Sequence, residues 1–109
     1  MKRLFILLFI GVMPSLVIAS QGMTGAPKNI TYRGGYVMFK VTDPATDVNA
    51  CAACPIGPGG YNAGHCWISD TKKAQLSLLL MAKAMGNQVK GRADNLTSAC
   101  EVNELSVLD

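Results

Sequence analysis

Four cysteines behind an N-terminal apolar leader constrain this chain more than anything else in it. Lys2 and Arg3 form a short basic start, and Leu4 to Val12 is apolar apart from Gly11. Pro14 and Ser15 loosen the end of that run, and Val17-Ile18-Ala19 is a small-residue cleavage pattern, with cleavage expected after Ala19. The run is too short for a membrane span, which needs about 20 apolar residues. The expectation is therefore a signal peptide over residues 1–19 and a single domain over residues 20–109, delivered to the periplasm or the extracellular space. Taking 19 residues from 109 leaves 90, too few for a two-domain enzyme. A domain of this size in an oxidising compartment uses cysteines as staples, so Cys51, Cys54, Cys66 and Cys100 predict two disulfides.

Three pairings exist. A Cys51–Cys54 bridge would close a very small loop and constrain little. Pairing one of these two with Cys66 and the other with Cys100 ties a long central loop to two later segments, which the loop-entropy model values at roughly 2–4 kcal/mol per bridge. Which goes with which stays open at this level. Two sharper readings compete with the staples. Cys51-Ala-Ala-Cys54 has the spacing of a redox dithiol, but Pro55, Gly57, Pro58, Gly59 and Gly60 follow at once, so no helix can start there to lower a thiol pKa. Cys51, Cys54, His65 and Cys66 offer four zinc-ligand types, but His65 and Cys66 are adjacent and poorly placed to face one ion together. No cofactor and no metal is expected, and His65 is expected to be an ordinary strand residue.

Charge narrows the function classes. The chain has 10 Lys and Arg against 7 Asp and Glu. Lys2 and Arg3 leave with the leader, so the mature domain carries 8 against 7, a net +1. A nucleic-acid binder built on counterion release needs a basic face, which this balance does not supply. No catalytic set is visible either. The single His lies beside a cysteine expected to be oxidised, and Asp43, Asp47, Asp70 and Asp94 fall in turns or caps, where Asp satisfies local backbone groups. The expectation is a non-enzyme.

The patterning gives five strands and one helix. Asn29 to Arg33 makes a short strand, and Gly34-Gly35 is a hairpin turn. Tyr36 to Thr42 alternates, with Val37, Phe39 and Val41 on one side. Residues 45–64 form a long loop that the cysteines must pin. His65 to Ser69 is a third strand, and Asp70 is placed to cap a helix over Thr71 to Met85 that stops at Gly86. Asn87 to Gly91 and Cys100 to Leu108 supply the last two strands, with a bulge expected near Asn103, because Val102 is out of phase with Leu105 and Val107. This order, with the helix between the third and fourth strands, is that of a mostly β, five-stranded OB-fold-like barrel.

The helix carries more apolar surface than one small core can take. Ala74, Leu78, Met81, Ala82 and Met85 are spaced as a core-facing stripe, which puts Leu76, Leu79 and Leu80 on the opposite side among lysines. Those three leucines are expected either to lie under the 45–64 loop or to form an interface with another subunit.

The chain also resembles a family. A hairpin, a strand and a cysteine-bearing loop precede Cys66-Trp67-Ile68. A helix ending Leu79-Leu80-Met81-Ala82-Lys83-Ala84-Met85-Gly86 leads to Asn87-Gln88-Val89, and Cys100-Glu101-Val102 opens the last strand. Over residues 23–108 this is similar to the small exported OB-fold proteins related to the B subunit of subtilase cytotoxin and to pertussis-like toxin B subunits. The resemblance implies a ring of five such subunits, a sugar site on the outer sheet surface and a catalytic A-type subunit docked on the helix-lined face. A hydroxyl residue followed by Gly contacts sialic acid in those relatives, and Thr24-Gly25 falls near that position. The alternative is a monomeric, disulfide-stabilised exported domain of structural role.

Overall fold

The computed structural model of the chain describes residues 21–60 and 62–109. The expected signal peptide lies outside the described residues. The elements are β1 (Gln21–Arg33), β2 (Tyr36–Thr42), β3 (Cys66–Ser69), α1 (Lys73–Met85), β4 (Gln88–Asn95) and β5 (Ala99–Leu108), with one 3-10 turn at Pro58–Gly60. The protein is mostly β, and its five-stranded sheet closes on itself in the order β1-β2-β3-β5-β4. The helix falls between the third and fourth strands, as the patterning predicts.

Closure depends on β1, which is far longer than the expected Asn29–Arg33. Its first half pairs with β4, from Gln21 opposite Ala93 to Gly25 opposite Val89. Its second half pairs with β2, from Ala26 opposite Thr42 to Arg33 opposite Tyr36. One strand can serve two neighbours because the register shifts between Lys28 and Thr31, where Asn29 takes a positive φ of 54°. Asn is among the few residues that adopt this conformation readily. Gly25 and Pro27 are inward residues of the strand and not breakers: Met23, Gly25 and Pro27 alternate as buried positions. At Gly25 a Cβ would sit 2.6 Å from the carbonyl oxygen of Thr42, so the crossing of β1 over the end of β2 requires glycine.

On the other side of the ring β2 pairs with β3, and β3 meets β5 in parallel at Trp67 opposite Glu101. The β4–β5 ladder slips by one residue, from Arg92 opposite Glu104 to Ala93 opposite Val102, which leaves Asn103 as the extra residue. The bulge inferred from hydrophobic phase lies there. The core is built from Phe39, Val41, Ile68, Val89, Ala93 and Val102 of the strands with Leu79 and Ala82 of the helix.

The segment from Asp43 to His65 folds back over the sheet. Asn49 organises it: its Oδ1 accepts from the N–H groups of Cys51 (2.9 Å) and Val41 (3.3 Å), and its Nδ2 donates to the carbonyl of Gly64 (2.9 Å). The loop covers Met38 and Trp67, cross-strand partners that both lie against Gly57. Of the helix leucines, Leu80 stays exposed.

Candidate functional site

The four cysteines are all buried and all bonded, Cys51 to Cys66 and Cys54 to Cys100. This is one of the two long-loop arrangements that the spacing favours. The bridges touch: Cys54 Sγ lies 3.9 Å from Cys66 Sγ, and Met23 Sδ lies 3.8 Å from Cys66 Sγ. Three cysteine sulfurs thus lie within 4.8 Å of one another. Each is engaged in a disulfide, so none is a thiolate able to attack or to bind a metal. The chain after Cys54 runs into the 3-10 turn at Pro58–Gly60 and not into a helix. The redox and zinc alternatives therefore both lose their chemistry. His65 is buried, one residue ahead of β3, with Nδ1 3.3 Å from the carbonyl of Ala63. Two buried disulfides are the chemistry of an oxidising compartment, extracellular or periplasmic.

Thr24 stands exposed on the outer face of β1, and Gly25 is buried beneath it. Thr24 is the cross-strand partner of Lys90, whose partner on the far side is Ser106, so a hydroxyl, an ammonium and a hydroxyl cross three strands in one row. The next row runs Gly22, Arg92, Glu104, and there Arg92 Nε sits 3.7 Å from Glu104 Oε1. Thr24 thus lies on an accessible polar strip, whereas Gly25 is fixed by packing.

The helix requires a correction. Leu79, expected on an interface, is fully buried in the domain's own core together with Ala82. Leu76 is half-buried and packs against that core, as does Leu78. Of the three interface leucines only Leu80 is exposed, at 55%. Of the expected core stripe, Ala74, Met81 and Met85 face solvent, the methionines at 46% and 61%. The helix is apolar on nearly every side, so amphipathicity alone does not set its rotation. The exposed residues of the helix are Lys73, Ala74, Ser77, Leu80, Met81, Lys83, Ala84 and Met85, so the apolar Leu80, Met81 and Met85 share the outer side with two lysines. The cap differs as well. Asp70 does not cap the helix: Lys72 occupies the N-cap position with no side-chain bond. Asp70 instead accepts a 3.0 Å hydrogen bond from the Tyr32 hydroxyl. That bond and the nearby negative charge raise the Tyr32 phenol above its ordinary value. Gly86 stops the helix at φ 72°, as its position predicts.

A cleft of about 90 Å³ opens where β1 meets the C-terminal end of α1, between Lys28 on one side and Lys83 and Asn87 on the other. Sequence patterning does not single it out, because neither lysine stands in a motif; only the β1 bend brings them together. No family model, characterised protein or solved structure matches the chain. No helix among the described residues is long and apolar enough to cross a membrane.

Proposed function

We propose that this chain is an exported, non-catalytic binding module that assembles with copies of itself, an OB-fold-like subunit resembling toxin B subunits. The observation that carries this reading is the outer side of α1, where Leu80, Met81 and Met85 are all exposed. A contiguous apolar patch of this kind marks an interface more often than a free surface. A closed ring of subunits covers such a helix in every copy at once, and the resemblance gives five as the number. Residual helix surface then faces a partner, in the resemblance a catalytic A-type subunit. The exposed polar strip around Thr24 serves as the glycan-binding surface, with avidity across the ring offsetting weak binding at each site.

A glycan array probed with the mature protein, its subunit number first fixed by native mass spectrometry, tests this reading. Binding to a defined class of glycan, lost in Thr24→Ala with the circular dichroism unchanged, is the expected result. Silence from a verified oligomer refutes glycan binding.

A further inference from the structure

We infer that Cys66 is the pivot of an internal thiol–disulfide relay: while the Cys54 thiol is free it exchanges into the Cys51–Cys66 bridge, and pairing with Cys100 ends the exchange. The relay concerns how the fold acquires its bridges and is independent of what the module binds. Cys51, Cys54 and Cys66 all precede Cys100 along the chain. Three cysteines cannot all pair with one another, so one stays a thiol until Cys100 is available. In the finished fold those three sulfurs lie within 4.8 Å of one another, and Cys54 Sγ is 3.9 Å from Cys66 Sγ. All are buried, so an outside thiol has no open path to them, whereas a neighbouring cysteine needs none.

The backbone holds this trio together without help from the bridges. Asn49 Oδ1 accepts from the Cys51 N–H (2.9 Å) while its Nδ2 donates to the Gly64 carbonyl (2.9 Å). The Gly64 N–H donates to the Cys54 carbonyl (2.9 Å), and the Cys54 N–H to the Cys51 carbonyl (3.0 Å). Cys51, Cys54 and the entry to β3 therefore stay in place when one sulfur is free. In the exchange the Cys54 thiolate attacks Cys66 Sγ. A Cys54–Cys66 bond forms, the Cys51–Cys66 bond breaks, and Cys51 leaves as the thiolate and takes up the proton that Cys54 gave up. The chain gains and loses no electrons in that step. Cys54 and Cys66 are separated by 12 residues and Cys51 and Cys66 by 15, nearly equal in loop entropy, so neither pairing dominates. Closing Cys54–Cys100 is a separate two-electron oxidation, carried by a disulfide donor of the oxidising compartment. It withdraws the nucleophile and leaves Cys51–Cys66 as the partner bridge.

Mature protein carrying Cys100→Ser tests the relay. It is held at mildly alkaline pH, quenched with acid, denatured, alkylated with N-ethylmaleimide and peptide-mapped. Both Cys51–Cys66 and Cys54–Cys66 are expected, in amounts within about tenfold of each other, with alkylation on Cys54 and Cys51 in matching proportion. In Cys54→Ser the free thiol is on Cys100, and Cys51–Cys66 is expected as the single bridge. A Cys100→Ser chain with native circular dichroism that holds only Cys51–Cys66 overturns the relay. A similar share of new bridges in Cys54→Ser would show indiscriminate scrambling and overturns it as well. If Cys100→Ser loses the fold, the wild type decides. Refolded from the reduced state with oxidised glutathione and acid-trapped at intervals, it should pass through a Cys54–Cys66 species that decays as Cys54–Cys100 forms. Refolding without that species overturns the relay.

Discussion

Leu79 separates the interior of this domain from its surface. It is fully buried beside Ala82, so Leu79→Ala deletes core volume that neighbours cannot refill, and a loss of about 2–5 kcal/mol in chemical denaturation is expected. A loss below about 0.5 kcal/mol, the usual size for surface sites, would place this side chain outside the core. Tyr32 gives a second residue-scale test. Its exposed phenol donates to Asp70, and the bond and the carboxylate's charge both hold the proton on. The folded-state pKa is raised above 10.0, so whatever the bond contributes is intact below pH 10 and is lost as pH rises through the raised value. By NMR the Tyr32 ring should titrate later than a free tyrosine, and Asp70→Asn should bring it back down. An unchanged midpoint in that variant would contradict the contact.

At the scale of elements, the two disulfides differ in what they close. Cys54–Cys100 spans 46 residues and ties the loop to β5, whereas Cys51–Cys66 spans 15. The loop-entropy model makes the longer bridge worth roughly 1 kcal/mol more. Replacing Cys54 and Cys100 by Ser should therefore lower stability further than replacing Cys51 and Cys66, and the reverse order in urea melts would show that local strain or residual structure dominates. The elements themselves were unevenly legible from sequence. Tyr36–Thr42 was plain because its alternation is uninterrupted, and the bulge at Asn103 followed from Val102 falling out of step with Leu105. The first half of β1 was hidden because Gly22, Gly25 and Pro27 carry turn chemistry in isolation. Here they lie within a strand, and Gly25 is required because β1 approaches the Thr42 backbone closely, a demand set by the partner strand and not by local pattern. The rotation of α1 was hidden for a different reason. With leucines and methionines all round, burial is decided by which side the closed sheet offers, so Leu79 and Met81 exchanged the roles that periodicity gave them. The Lys28–Lys83 cleft depends on the same long-range arrangement, whereas Thr24 is singled out by a resemblance alone.

At the scale of the whole molecule, a closed sheet removes free strand edges, so the proposed assembly rests on the outer side of α1. Leu80 and Met85 lie on that outer arc, clear of the core, so charges placed there cost the fold little and cost an interface much. Light scattering on the mature protein and on Leu80→Lys/Met85→Lys measures this directly. The wild type at tens of micromolar should be a single closed oligomer, five subunits by the resemblance, and the double variant a monomer with unchanged circular dichroism. A wild-type monomer at that concentration, or an oligomer that the two lysines leave intact, would contradict assembly through this helix.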